Sequence, residues 1–459
     1  MKNKIKIFTA ICLLLSCVHL SAQEAIEMPP DKIPGCDGPM PQQTIYLDEN
    51  NKIAQDMLKK KQTQTDGVAM ATGGFLAWPL RMTADYEGIN GVYSYFFVSN
   101  YIDQFIGDFY ADGVRGDWRC FEGEDARNYD DHNGADIVPY PFSWQMMDDE
   151  SLDVIAAADG VVLDVYDINS FDRNCDTPHV FIISDTLLNH GYGGNWIRIQ
   201  HFDADLTQTI YAHLKHGSLA DIHPGDTVRQ GDYLGKIGSA GNSSGPHLHF
   251  EVHQYSAYEG GWHLVEPWDD PGTYGETDCN PWLDNSLWIN QLPYYNKQLI
   301  RITTHDASPV FKSCTAYESG SNEDVNITNH FSAASMKIRI AIRDPEAGDH
   351  IDIDIYTSTG TLKSSIDYDV PTSRQIEDYE WTQSIVFWAN DTYRIRVTYD
   401  GKTYDHYFTV GCSGDKIYSG AQSGHKGFIS GGSINSTSTI SGKCKQCVIS
   451  GRNICKVEQ

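Results

Sequence analysis

GNSSGPHLHFEVH, from Gly241 to His253, has the side-chain alternation of a strand. Successive side chains of a strand leave the backbone on opposite faces, so His247, His249 and Glu251 project from one face of a sheet. Two imidazoles then point the same way. Working outward, DHNGAD (Asp131 to Asp136) offers His132 and Asp136, and TIYAHLKHG offers His213. Together these residues supply the mixed histidine and carboxylate set that a catalytic zinc ion uses, with three protein ligands and one position left for water.

Spacing alone is weak evidence. With 17 histidines in the chain, chance supplies about one HxH pair and one or two HxxxD pairs. An isolated histidine on a strand is ordinarily a hydrogen-bonded structural residue. The surroundings carry the weight. HNGADI, YAHL and GDTVRQGDYLGKIGSAGNSSGPHLHFEV occur here in one order. In that combination the stretch from Phe75 to Trp268 resembles the lysostaphin or LytM-type zinc endopeptidases, which cut peptide cross-links in bacterial peptidoglycan.

The resemblance implies one Zn²⁺ per chain, held by His132, Asp136 and His249. Such ligands leave zinc acidic enough to lower the pKa of bound water towards about 7. His213 and His247 match the family's two histidines that are not ligands. One would carry the proton from water to the leaving amine and the other would donate to the oxyanion, and the sequence does not divide these tasks. Glu251 shares the strand face and is a candidate to orient a ligand, with a solvated surface group as the plain alternative. Tyr129 is a weaker candidate for assisting the oxyanion. His216, His223, His253 and His263 match no family position and read as structural or exposed. The interval from Asp136 to His247 is longer than the family's. The excess falls in PYPFSWQMMDDES and INSFDRNCDTPHVFIISDTLLNHGYGG, loops expected to wall the groove and set specificity, with Cys175 tying down the longer one.

A chain of 459 residues is too long for one compact core and predicts two or three domains. Its 40% hydrophobic and 12% aromatic content is enough to fill them. The net charge of -28 argues against nucleic acid or anionic lipid as the main partner, because the long-range field repels both. Lys2, Lys4 and Lys6 ahead of an apolar run from Ile7 to Leu15, with Ser21-Ala22 before Gln23, read as a cleaved export signal. The rival reading is a lipid anchor on Cys17. Either way the expected location is secreted, periplasmic or cell envelope, and no segment is apolar and long enough to span a bilayer.

The expected fold is mainly β. It comprises a signal (1–22), an arm with one short helix near Asn51 to Lys61 (23–72), and an antiparallel-sheet LytM-type peptidase domain (73–268). A linker (269–299), an immunoglobulin-like β-sandwich (300–412) and a Gly/Ser-rich, Cys-containing tail (413–459) follow. Within the peptidase domain Asp159-Gly160 signals a hairpin, and Asp400-Gly401 marks another in the sandwich. Once the signal is removed nine of the 11 cysteines remain, and in an oxidising compartment they are expected as disulfide partners. Cys314 and Cys412 bracket a β-rich segment and are the expected pair. The CKQC of Cys444 to Cys447 reads as a stapled tail, since no βαβ pattern precedes it. The function expected is peptidoglycan endopeptidase. The alternatives are a protease of Gly-rich or other extracellular proteins, and a non-catalytic binding or activator protein, which would ordinarily lack ligands that are all present here.

Overall fold

A computed structural model describes residues 74–103, 116–119, 121–122, 126–129, 132–175, 194–203, 206–256, 261–269 and 285–411, with short strands at 418–419, 428–429, 447–449 and 452–455. The expected signal, the arm with its helix, Cys412 and Cys444 lie outside the described residues. The chain is mainly β, as expected. Its first half contains β1 (Leu80–Met82), α1 (Ala84–Glu87), β2 (Phe96–Asn100), β3 (Ala135–Pro139), α2 (Ser143–Asp148), β4 (Leu152–Ile155), β5 (Gly160–Tyr166) and β6 (Trp196–His201). It continues with β7 (Gln208–Ala212), β8 (Thr227–Val228), β9 (Tyr233–Lys236), β10 (Leu248–Ser256) and β11 (Gly261–Leu264).

One antiparallel sheet runs β2-β3-β10-β7-β6-β5-β8, with β11 paired to the far end of β10, and a small second sheet runs β1-β4-β9. The alternation of β10 explains the arrangement. Leu248, Phe250 and Val252 are fully buried and share a core with Ile137, Ile197, Ile199 and Tyr211 of the large sheet and Val154 and Leu234 of the small one. Each such side chain contributes about 1.5–3 kcal/mol by leaving water. That apolar anchoring fixes which face of β10 presents the histidines.

The expected hairpin at Asp159-Gly160 does not form. β4 belongs to the small sheet and β5 to the large one. A two-residue type I′ turn needs positive φ at both positions, and neither Asp159 nor Gly160 is among the residues with positive φ. Instead Ala156, Ala157 and Ala158, all buried, carry the chain from one sheet to the other, and Asp159 accepts the Gln230 N–H at 2.7 Å.

The second half contains β12 (Gln298–His305), α3 (Cys314–Glu318), β13 (His330–Phe331), β14 (Ser335–Arg343), β15 (His350–Thr357), β16 (Leu362–Asp369), β17 (Ile376–Ser384), β18 (Asp391–Tyr399) and β19 (Lys402–Val410). These form sheets β12-β14-β17 and β13-β19-β18-β15-β16. Ile338, Ile340 and Ile342 of the first sheet and Ile351, Ile353 and Ile355 of the second meet in one core, a two-sheet sandwich. Asp400 and Gly401 have φ of 49° and 68°, so this tight turn forms as its dipeptide predicts.

The halves are not beads on a string. Trp288 and Tyr294, within the stretch read as linker, are buried in the first core. Gln375 Nε2 donates to the carbonyls of Val98 and Ser99 at 2.9 Å, and Arg343 Nη1 to that of Phe96 at 3.0 Å. The expected Cys314–Cys412 pairing is corrected: Cys314 is bonded to Cys175, 139 residues earlier, so the bridge joins the longer loop to the sandwich. The cause is local packing. Trp144 of α2 stacks on Tyr317 of α3 at 4.9 Å and the two cysteines lie in the same small apolar cluster. The PYPFSWQMMDDES insertion thus supplies α2, whose first N–H groups at Trp144 and Gln145 are capped by Glu323 of the sandwich.

Candidate metal centre

Three adjacent strands assemble the centre. In the ladder His249 of β10 lies opposite Asp136 of β3 on one side and Ala212 of β7 on the other. His213 therefore follows at the end of β7, where it takes a left-handed conformation with φ 61°. His132 stands three residues before β3 and outside any strand. The structure brings all five predicted residues together. Donor atoms of His132, Asp136 and His249 lie within 4.8 Å of one another, and so do those of His213, His247 and His249. His132, Asp136, His213 and His247 are buried, and the His249 side chain is 12% exposed.

Asp136 sits at the middle. Its Oδ1 is 2.9 Å from His249 Nδ1 and 3.3 Å from His247 Nε2, and its Oδ2 is 3.2 Å from His132 Nε2. The remote nitrogens are tied to acceptors. His132 Nδ1 donates to the Tyr101 carbonyl at 2.7 Å, His213 Nδ1 to that of Ala240 at 2.7 Å, and His247 Nδ1 to that of Gly245 at 2.8 Å. A carbonyl only accepts, so Nδ1 carries the proton in each neutral ring and Nε2 is left with its lone pair. His249 is turned the other way. Its Nε2 meets Glu251 Oε1 at 3.0 Å, leaving Nδ1 to face Asp136.

Electrostatics follow from this packing. Burial pushes the Asp136 carboxyl up, but the positive charge and the Nε2 hydrogen bonds that His132 and His247 supply when protonated outweigh it and hold Asp136 well below the usual carboxylate range. Burial opposes charge on His249, yet the hydrogen bonds to Asp136 and Glu251 hold its imidazole at about 10. Burial also raises Glu251, and His249 and His253 bring it down to about 2. His213 is pushed well below the ordinary histidine value by burial first, then by His247 and His249.

The donor set fits a zinc ion. His132 Nε2 is buried and, among the described residues, has no hydrogen-bond partner of good geometry, although it faces Asp136 Oδ2 at 3.2 Å. Two imidazole nitrogens and a carboxylate converge, and their far sides are fixed by carbonyls or a carboxylate, as metal-bound histidines require.

Several contributors were not read from the sequence. Asn100, opposite Asp136 in β2, donates to Asp136 Oδ2 at 3.0 Å. Gly134 is needed for close approach, since a Cβ there would lie 2.7 Å from the His249 ring and 2.9 Å from the Phe250 carbonyl. The glycine stood inside HNGADI and was the one available signal. Tyr129 packs against the His132 ring at 4.3 Å between centroids. His253 binds Glu251 Oε2 at 2.7 Å, a structural role as expected, while His216 pairs with Asp167 and His223 is exposed near Asp226, both away from the centre.

Residues 143–260 match the family model for Peptidase family M23. The matched segment holds His213, His247 and His249, and the β3–β10 ladder adds Asp136 from outside it. A stretch of 62 residues is 46% identical to a DD-carboxypeptidase/endopeptidase of Neisseria meningitidis, covering 14% of this chain and 13% of that protein. Another of 64 residues is 39% identical to a peptidoglycan DD-endopeptidase of Vibrio cholerae, covering 14% of each. The chain thus matches only about a seventh of these relatives' length. The catalytic domain of lysostaphin from Staphylococcus simulans is similar at 18% identity and a TM-score of 0.19, over 40% of this chain and 95% of that one. The resemblance to LytM-type metallopeptidases holds for this stretch.

Proposed function

We propose that this chain is an exported zinc endopeptidase that cuts peptide cross-links in bacterial peptidoglycan. The observation that carries the reading is the convergence of His132 Nε2, Asp136 and His249 Nδ1 with their far sides already fixed, flanked by two further histidines. Similarity to the peptidoglycan DD-endopeptidase of Vibrio cholerae supports the substrate class, and the Lys-rich, apolar N-terminus supports export. No helix among the described residues is long and apolar enough to cross a membrane. In this reading 73–268 is the peptidase module and 300–412 an immunoglobulin-like module.

His132, Asp136 and His249 hold one Zn²⁺. Bound there, zinc supplies a Lewis acid and an activated water with a pKa near about 7. His213 and His247 each keep a proton on Nδ1 and turn Nε2 towards the centre, the arrangement a proton carrier and an oxyanion partner both need. Their rings stand 4.6 Å apart between centroids, close enough to serve one reacting peptide bond. Burial, then the imidazoles of His247 and His249, push His213 well below the ordinary histidine value, which favours its neutral form with the proton on Nδ1.

The test is metal analysis of the purified chain, with parallel digestion of peptidoglycan sacculi and a protein panel. One zinc per chain and peptide release from sacculi are expected, both lost in His249→Ala. Cleavage confined to the protein panel overturns the substrate, and absence of zinc after loading overturns the enzyme.

A further inference from the structure

Of the three proposed ligands, Asp136 and His249 are fixed by a β-ladder and His132 is not. What holds His132 leads out of the peptidase half. Its Nδ1 donates to the Tyr101 carbonyl at 2.7 Å, and its own carbonyl accepts the Asp103 N–H at 2.9 Å. The Tyr101 N–H in turn donates to the Arg127 carbonyl at 2.6 Å. The Arg127 guanidinium donates to Asp344 Oδ1 at 2.7 Å and to the Tyr294 carbonyl at 3.0 Å, and lies over the rings of Tyr294 and Tyr295 at 4.4 and 4.9 Å.

Asp344 belongs to the sandwich, directly after β14. Its carboxylate is 2% exposed and its second oxygen accepts the Asn296 N–H at 2.7 Å. Asp344 also adopts φ 50°, in the left-handed region that Asp enters more readily than most residues. We propose that Asp344 is a positioning residue for His132, acting through Arg127 and the main chain of Tyr101, so that the sandwich is part of the metal centre and not a detachable module. This rests on the zinc reading above.

The logic is electrostatic. Arg127 is largely buried, and a buried guanidinium is stable in one place only while its counter-charge is there. Removing the Asp344 charge frees Arg127 to shift, and with it the carbonyl that sets Tyr101. The Tyr101 ring is clamped by Trp118, Trp268 and Tyr294, so displacement is passed along the main chain to the His132 acceptor.

The test uses the full chain and chelator competition for zinc. Asp344→Asn is expected to weaken zinc binding about tenfold, the low end for groups that orient ligands. It is also expected to change the visible absorption of the cobalt(II)-substituted protein, a signature that loss of stability alone leaves unmoved. The control is Asn90→Ala, which removes the reciprocal Asn90–Tyr407 hydrogen bonds at the same interface, unconnected to His132, and is expected to bind metal like the wild type. If Asp344→Asn does not fold, Arg127→Lys, which keeps the charge and loses the planar fork, makes the same prediction. Wild-type metal affinity and cobalt spectrum in the variant, or equal loss in Asn90→Ala, overturn the proposal. A wild-type chain that takes up neither metal overturns the zinc reading and this one with it.

Discussion

Glu251 is 1% exposed and accepts hydrogen bonds from both His249 and His253, so its charge is stabilised by two imidazoles and in turn stabilises theirs. In the metal-free chain His249 lies between two carboxylates and is held at about 10, above its ordinary value of 6.5. A group whose value rises on folding adds stability that is complete below its unfolded value and lost as pH climbs through the folded one. For His249 that window runs from 6.5 up to about 10. Zinc competes with the Nδ1 proton for the same lone pair, so loading at pH 8 should release about one proton per chain from His249, in addition to the one given up by a zinc-bound water of pKa about 7, read by an indicator dye in weak buffer. Glu251→Gln removes one of the two charges holding that proton and should release less. Equal release from both proteins would sink this account of His249. The position of Glu251 on the histidine face was legible from period-two alternation. The Tyr101, Ala240 and Gly245 carbonyls were not, because a main-chain acceptor carries no letter in the sequence.

At the level of elements, β10 works because its two faces do different jobs on one backbone. Phe250 is fully buried, with its ring against those of Tyr211 and Trp288 at 5.3 and 5.6 Å, while the flanking His249 and Glu251 face the site. Phe250→Ala should cost about 3–5 kcal/mol, the transfer loss plus the cavity left by a ring in a packed core. The midpoint of urea denaturation checks this, and a change under about 1 kcal/mol would mean the core relaxes around the gap. The same strand shows why parts of the fold were readable and parts were not. Strict alternation identified β10 and β15, and Asp400-Gly401 identified its own turn, because each depends on local conformation. Asp159-Gly160 has equally good turn chemistry, yet β4 and β5 part into different sheets. Burial of Ala156, Ala157 and Ala158 between the sheets decides that, and it is a tertiary effect.

Two of the places where the halves meet lead to the centre. One is the Arg127–Asp344 pair behind His132. The other is the segment ending at Cys175. Arg173 donates to the carbonyls of Tyr317 and Ser321 in the sandwich at 2.6 and 2.7 Å, and Cys175 is bonded to Cys314. On its other side the segment holds residues 239–241, whose Ala240 carbonyl accepts the His213 Nδ1 hydrogen bond. The Asn174 N–H donates to the Ser239 carbonyl at 3.0 Å, Ser239 Oγ to that of Asn174 at 2.6 Å, and Asn174 Nδ2 to that of Gly241. Ala240, between them, is the acceptor for His213. The pairing was hidden in the sequence because connectivity among many cysteines cannot be deduced from spacing, and the partners are 139 residues apart. Closing so long a loop restricts the unfolded chain strongly, by roughly 5 kcal/mol in the chain-entropy account and about 2–4 kcal/mol in typical measurements. Reduction, or Cys314→Ser, should therefore lower the thermal midpoint by several degrees. Because the tether ends beside Ala240, hydrogen exchange should also quicken at residues 238–243 in the oxidised-to-reduced comparison. Unchanged exchange there, with a lowered midpoint, would mean that the bridge stabilises the chain without supporting His213. Loss of protection at 238–243, with the β10 ladder still protected, is the result expected if the sandwich braces the centre from this side as well.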